Sequence, residues 1–214
     1  WFVDFLDDKV LVTLDAKTGR LLGMVNPRKA VSLASERARQ LDEDEIKERA
    51  AGLLNSRLSL GSRELSSLDG PSVEWGGSVT GLSWEQRIDG YPVFGHGVWL
   101  EYNAHTGEVV SLTINVVPAS LIPDAGTPHD LVDLSRAAGE YLRRTYPEHT
   151  FERTACTFAY VNPRAVLPAA GTLPGDWRLC AVMPFSLVGS RSSVVVFTDA
   201  KTLQVYGGSV LRRR

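Results

Sequence analysis

The fold is decided by one stretch, Val98-Trp99-Leu100-Glu101-Tyr102-Asn103-Ala104-His105-Thr106-Gly107-Glu108-Val109-Val110-Ser111-Leu112. Apolar and polar residues alternate on both sides of a short turn, a pattern typical of two antiparallel strands joined as a hairpin. The same turn recurs at residues 15–19 and 199–203, each time after an alternating apolar run. The spacing of the three copies predicts a repeated structural unit of about 90 residues.

A second repeated motif lies in segments that we expect to be helical. Arg49-Ala50-Ala51-Gly52 returns as Arg136-Ala137-Ala138-Gly139. The first helical region, about 31–58, is expected to consist of two pieces. The second piece is expected to start near Asp42, because Asp42 and Glu45 have the spacing of a capping box.

The last repeat adds three expectations. Its helix is expected to have Thr127 as its cap and to end before Pro147. Its turn has Leu203 where the other copies have glycine, so we expect a different backbone conformation or a one-residue shift there. Cys156 and Cys180 fall in consecutive predicted strands, and the sequence leaves open a cross-strand disulfide or two buried free thiols.

These patterns predict an α+β fold of tandem units, each with one helix packed on a curled antiparallel β-sheet. We expect residues 1–25 to be the strand-only, C-terminal part of a truncated first repeat. Residues 29–117 are expected to form a complete repeat, and residues 127–214 a more divergent one. Because the chain starts part-way into a repeat, any signal peptide or membrane anchor is expected upstream of Trp1.

The composition excludes some partners. The 214 residues are 43% hydrophobic and 22% charged, with a net charge of −2. Nucleic-acid binding needs a concentrated Lys/Arg surface, which this balance does not favour. No apolar run has the length of a membrane span, so we expect membrane attachment only through an upstream anchor.

The stretch from Ser83 to Val110 resembles the PepSY family. The resemblance rests on a strand with Arg87, a Gly90-Tyr91-Pro92-Val93 turn, an alternating strand and the hairpin turn at 103–107. It is strongest for versions found in propeptides of thermolysin-type metalloproteases and in tandem-repeat envelope proteins of bacteria. It implies cystatin-like units, an extracytoplasmic location, and a role in restraining or chaperoning a peptidase or another envelope protein. It carries over no catalytic residues.

The chain shows no motif of a known catalytic site. The His-Glu-x-x-His helix of zinc proteases is missing, as are the Gly-x-Ser-x-Gly elbow and the phosphate-binding loop. The histidines, His96, His105, His129 and His149, are expected to be solvated; His96, between two glycines, is the one we weigh as a metal ligand or base. We therefore predict that the protein is not an enzyme and has no catalytic residues, no metal and no cofactor.

The candidate contact residues lie in two predicted loops, the hairpin near 91–96 and the proline-rich insertion at 163–175. The residues are Tyr91, Pro92, Phe94, His96, Pro163, Leu167 and Leu173. Gly19, Gly90 and Gly107 are expected to be structural turn positions. Trp84 and Trp99, on adjacent predicted strands, either pack in the core or form an exposed aromatic strip for a peptide or glycan.

The function expected is that of a non-catalytic, extracytoplasmic module that binds a protein through a sheet edge or hairpin loops. The resemblance points to a peptidase or cell-wall enzyme that is inhibited, chaperoned or held inactive. Two alternatives stay open. The units form a structural stalk, or the fold is a small-ligand-binding or hydrolytic domain, which would need a deep pocket lined by His96, Glu101 or Glu74.

Overall fold

The structure is a computed structural model that describes residues 2–5, 10–26, 41–57, 60–76, 78–167 and 175–212. The chain divides into two compact units. Unit 1 comprises Trp1–Arg87 and Gly95–Ala119, and unit 2 comprises Ile88–Phe94 and Ser120–Arg214. In the described part of the chain, no helix has the length and apolar character needed to cross a membrane.

Unit 1 is built around a sheet with the strand order β1-β2-β3-β7-β6-β5-β4. Its strands are β1 (Phe2–Phe5), β2 (Val10–Leu14), β3 (Leu21–Val25), β4 (Leu68–Gly76), β5 (Val79–Ile88), β6 (Tyr91–Asn103) and β7 (Val109–Asn115), and its helices are α1 (Glu43–Arg57) and α2 (Ser62–Ser66). The three strands predicted within residues 1–25 are confirmed. The last of them, β3, pairs with β7.

Helix α1 covers one face of the unit 1 sheet. Ile46, Ala50 and Leu54 project from the helix into the core at the spacing of a helical stripe, as the sequence predicts. The sheet contributes alternate residues of each strand, among them Leu82, Trp84, Val98, Leu100, Leu112 and Ile114. Burial of each large apolar side chain contributes about 1.5–3 kcal/mol to folding.

The capping box of α1 is confirmed. The Glu45 amide donates to Asp42 Oδ1 at 2.9 Å, and the Asp42 amide donates to Glu45 Oε2 at 3.1 Å. Two amides at the helix start are satisfied by this exchange. The first helical piece that the sequence predicts, before Asp42, falls almost entirely outside the described residues.

Unit 2 contains four antiparallel strands in the order β9-β10-β11-β12, with β8 also paired to β10. Its elements are α3 (Leu131–Thr145), β8 (Phe151–Arg153), β9 (Thr157–Val161), α4 (Pro163–Val166), β10 (Arg178–Leu187), β11 (Ser192–Asp199) and β12 (Val205–Arg212). A short 3-10 turn, Ala119–Leu121, precedes α3 in the chain. Val93, in the part of β6 that belongs to unit 2, pairs in parallel with Tyr160 of β9.

Both faces of the unit 2 sheet are covered. On one face, Leu134, Ala138 and Leu142 of α3 pack against strand residues such as Met183 and Val196. On the other face lies a cluster of Cys180, Val182, Phe197 and Tyr206, against which Val166 and Leu167 pack. Strand β10 is therefore buried along most of its length, which explains its nearly continuous apolar sequence.

The predicted fold class, α+β with tandem cystatin-like units of one helix on a curled antiparallel sheet, is wrong. Strands dominate the regular structure, and two of the four α-helices in the described residues are five residues or shorter. The strand pairing is mixed, because β6 and β9 pair in parallel within unit 2. Alternation along a strand predicts which face it buries, but it does not predict which distant strand it pairs with.

The three repeated turns have the same geometry. In each, Oδ1 of the first residue (Asp15, Asn103 or Asp199) accepts hydrogen bonds from the amides two and three residues later, at 2.8–3.1 Å. The fifth residue takes a left-handed backbone in every copy, with φ of +69° at Gly19, +68° at Gly107 and +62° at Leu203. The expected change of backbone at Leu203 is therefore wrong. Its side chain packs against the α3-facing cluster, which offsets the cost of this φ.

Two further local expectations are resolved in unit 2. The cap of α3 is Asp130, whose Oδ1 accepts from the amides of Val132 and Asp133, and not Thr127. Cys156 and Cys180 are free thiols. Cys180 is fully buried, whereas Cys156 is half-buried and packs against the opposite, α3-facing cluster.

Candidate functional site

The contact residues predicted in the β5–β6 hairpin do not share one surface. Tyr91 is half-buried, and its ring meets Phe158 and Tyr160 edge to face at centroid distances of 6.3 and 6.2 Å. Phe94 is 39% exposed, and its ring lies 5.4 Å from that of Phe197. Tyr91 thus belongs to the packing of unit 2, while Phe94 keeps part of its ring in solvent. The turn between the strands contains Gly90 with φ of +81°.

The remaining predicted contact residues are scattered. Pro92 and His96 are half-buried. Pro163 is buried at the first position of α4, and Leu167 is half-buried against the core. These two residues serve internal packing. Leu173 lies outside the described residues.

The histidines are not brought together. The His105 amide donates to Asn103 Oδ1 within the β6–β7 turn, His129 is exposed, and the ring of His149 stacks on Tyr146 at 6.4 Å. Among the described residues, no group of three or more His, Cys, Asp or Glu side chains is placed to hold a metal ion.

A buried ionisable group lies in the last turn and has a structural explanation. Burial would raise the pKa of Asp199, but hydrogen bonds from the Tyr206 hydroxyl (2.6 Å) and from the amides of Lys201 and Thr202 lower it below its ordinary value. Burial, together with this carboxylate, raises the pKa of Tyr206 and of the neighbouring thiol of Cys180. The hydrogen bonds to Asp199 stabilise the turn, and the carboxylate, the phenol and the thiol are all buried.

The two tryptophans on β5 and β6 face opposite sides of the unit 1 sheet. Trp84 is buried beneath α1 and is 6% exposed, whereas Trp99 is 39% exposed on the other side. We call this second side the open face. The open face is formed by Leu11, Thr13, Gly23, Val25, Glu74, Ser83, Trp99, Glu101, Ser111 and Thr113.

Strand register fixes the neighbours on the open face, because residues directly opposite each other project to the same side. One row runs from Trp99 through Thr113 and Gly23 to Thr13. The next row runs through Glu101, Ser111, Val25 and Leu11. Leu11 is 42% exposed and Val25 is 43% exposed. The two rows place three large apolar side chains on one exposed surface.

A cavity of about 380 Å³ lies at the β4–β7 end of the open face. Its polar lining is formed by Glu74, Ser83, Glu101, Ser111 and Thr113, with Trp99 beside them. Ser111 Oγ donates to Glu101 Oε2 at 2.5 Å, which fixes that carboxylate in position. The arrangement offers an aromatic ring, two carboxylates and several hydroxyl groups to a ligand.

Two apolar residues of the open face, Leu11 and Val25, were not predicted as contact residues from the sequence. Trp99 is predicted either as core or as part of an aromatic strip, and Glu74 and Glu101 only as lining of a cavity between helix and sheet. Leu11 and Val25 are placed in strands but not proposed as contacts. Their signal is the alternation itself, which leaves one apolar residue on the open face in each of β2, β3 and β6.

Comparisons with known proteins add little to this geometry. No family model matches the chain, and no curated protein matches it. Among solved structures, the chain is similar to the YpeB C-terminal domain of Bacillus megaterium, with 11% identity and a TM-score of 0.46 over 100% of this chain and 89% of that one. This likeness does not establish a family for the chain.

Proposed function

We propose that this protein is a non-catalytic module that binds another protein through the open face of unit 1. The observation that carries the proposal is the exposure of Leu11, Val25 and Trp99 on one face of a sheet whose other face is packed. Large apolar side chains that share an exposed surface are typical of interaction sites. The tryptophan is the side chain that most often anchors such contacts.

The charges on this face favour a basic partner surface. Glu74 and Glu101 lie beside Trp99, so carboxylates flank the exposed tryptophan of the open face. A partner with Lys or Arg next to an apolar patch would be complementary in both respects. We infer that electrostatic attraction orients the partner and that apolar burial supplies most of the affinity.

We further propose, from the sequence resemblance, that the protein is a PepSY-type module that acts outside the cytoplasm. The resemblance at residues 83–110 supports a peptidase or a cell-wall enzyme as the partner. The described structure supports only the binding surface, so the identity of the partner is to be found by experiment.

The test uses the full protein in its native host, with cross-linking and identification of the partner, followed by binding of the purified pair. Val25→Lys is expected to weaken binding at least about tenfold, because it buries a charge in an apolar contact. Val132→Lys is the matched control, since Val132 is 73% exposed at the start of α3 in unit 2.

A partner that is lost with Val25→Lys and with Trp99→Ala, but kept with Val132→Lys, would support the proposal. Equal binding by all four proteins would overturn it and favour the alternative of structural stalk repeats. Circular dichroism and urea unfolding must show that each variant is folded.

A second candidate function is favoured by the cavity at Glu74, Glu101 and Trp99. An aromatic ring beside carboxylates and hydroxyls is complementary to a polar small molecule such as a sugar. Titration with short oligosaccharides, followed by tryptophan fluorescence, tests this alternative. A saturable change in the wild type that disappears in Glu101→Gln would favour it over the protein-binding module.

A further inference from the structure

A second concave surface lies in unit 2, between α3 and strands β8 and β10. It encloses about 390 Å³. Arg136, Gly139 and Arg143 line it from the helix, and His149, Phe151 and Phe185 line it from the other side. We call it the basic groove.

The lining of the basic groove contains Arg136 and Arg143 and no carboxylate. Arg136 pairs with Asp133 one helical turn earlier. Arg143 donates from Nε to a backbone carbonyl at 3.4 Å and has no carboxylate partner among the described residues. Arg153 on β8 donates to Ser135 Oγ, a hydroxyl that lines the groove. Two guanidinium groups thus line the groove, and of these only Arg136 is paired with a carboxylate in the described part of the chain.

The floor of the basic groove is apolar. Leu142 and Phe185 are buried there, and Phe151 is half-buried. Gly139 leaves room above this floor, because a Cβ atom built on it meets nothing within 4 Å. The groove therefore combines an apolar base with basic walls.

We propose that the basic groove binds an acidic segment of a protein, with carboxylates at the arginines and an apolar side chain on the phenylalanine floor. Arginine forms paired hydrogen bonds with carboxylates, which suits Arg143. The half-buried ring of Phe151 distinguishes this ligand from a free inorganic anion, which would make no apolar contact with it. The site is separate from the open face and goes beyond the function proposed above.

The probe is a pair of octapeptides with the same N-terminal label, followed by fluorescence anisotropy at low salt. One peptide carries four Asp or Glu residues around a central Leu-Phe, and the other has the corresponding Asn or Gln residues. The acidic peptide is expected to bind at least about tenfold more tightly, and added salt is expected to weaken its binding.

Two variants locate the site. Arg143→Glu is expected to weaken binding of the acidic peptide at least about tenfold through charge reversal. Arg144→Glu is the matched control, because it lies in the same last turn of α3 and makes the same charge change but does not line the groove. Gly139→Leu fills the groove without adding charge, and it is expected to abolish binding while the helix stays intact.

Several results would overturn the proposal. The proposal is wrong if the acidic peptide does not bind, or if both peptides bind equally well. It is also wrong if Arg143→Glu and Arg144→Glu weaken binding equally. Competition by millimolar phosphate that abolishes peptide binding at constant ionic strength, or binding only to anionic vesicles, would also overturn the proposal. Val25→Lys on the open face should leave peptide binding unchanged, so failure here is distinguishable from failure of the proposed function.

Discussion

The side-chain amide of Gln86 is fully buried in unit 1 and makes two hydrogen bonds with the backbone of Val117. Gln86 Nε2 donates to the Val117 carbonyl at 2.7 Å, and the Val117 amide donates to Gln86 Oε1 at 2.9 Å. The glutamine follows Leu82 and Trp84 at strand spacing, so the sequence does place it on the inner face. The spacing does not predict that this polar side chain forms hydrogen bonds with a residue 31 positions later in the chain.

Gln86→Leu is expected to lower the free energy of unfolding by about 2–4 kcal/mol, because it leaves a buried amide and a buried carbonyl unpaired. Urea unfolding followed by circular dichroism measures this change. Gln204→Leu is the control, since Gln204 is exposed, and its effect should stay within about 0.5 kcal/mol. Equal effects of the two substitutions would contradict a stabilising role for the hydrogen bonds between Gln86 and Val117.

Substitution of Gly19 measures how much free energy the left-handed backbone of the first turn costs a residue with a side chain. A Cβ atom at Gly19 meets nothing within 4 Å, so Gly19→Ala changes only the backbone preference at φ +69°. We expect a loss of about 1 kcal/mol in unfolding free energy. Gly52→Ala, in α1 and also free of contacts at Cβ, should instead raise stability by up to about 1 kcal/mol. A gain in both variants would argue against strain in the turn.

At the scale of the element, the third repeated turn makes the stability of the folded state depend on pH. The folded pKa of Asp199 lies below its ordinary value of 3.8. The ionised side chain therefore stabilises the folded state above that value, and this contribution is lost as the pH falls through the folded pKa. Below that point, protonation removes an acceptor of the Tyr206 and amide hydrogen bonds.

Asp199→Asn is expected to flatten the loss of stability between about pH 5 and pH 2, because asparagine cannot titrate. Asn103 already occupies the same position in the second turn, so the backbone can accept this residue. The measurement is the urea midpoint as a function of pH. Asp15→Asn, in the exposed first turn, should have a smaller effect. An unchanged pH profile in Asp199→Asn would contradict the account.

Local signals predicted most elements well. The strands within residues 1–25 and the capping box at Asp42 follow from alternation and cap chemistry. The start of α3 was missed because Thr127 and Asp130 both have capping side chains, and the sequence pattern does not select between them. Leu203 was misjudged because side-chain packing, which the sequence does not show, compensates for its unfavourable φ.

At the scale of the whole molecule, strand pairing decides which surfaces are exposed. The open face joins residues from the six strands β2 to β7, which are as far apart in sequence as Leu11 and Thr113. No local pattern connects them, so the face could not be predicted, although each strand could. The predicted loops were favoured as contacts because loops are exposed in general. Here, Pro163 and Leu167 instead pack on unit 2.

The two free thiols give a direct way to follow the opening of unit 2. Cys156 is half-buried, whereas Cys180 is fully buried and burial raises its pKa, so the thiolate that reacts with maleimide is suppressed there. We expect one thiol per chain to react under native conditions and two in denaturant. In a Cys156→Ser variant, the remaining labelling rate would report only how often the core opens. Mass spectrometry counts the labels, and rapid native labelling of Cys180 would contradict its position in the core. The labelling rate of the buried cysteine thus reports the unfolding of unit 2, and its half-buried counterpart is a site for attaching one fluorophore.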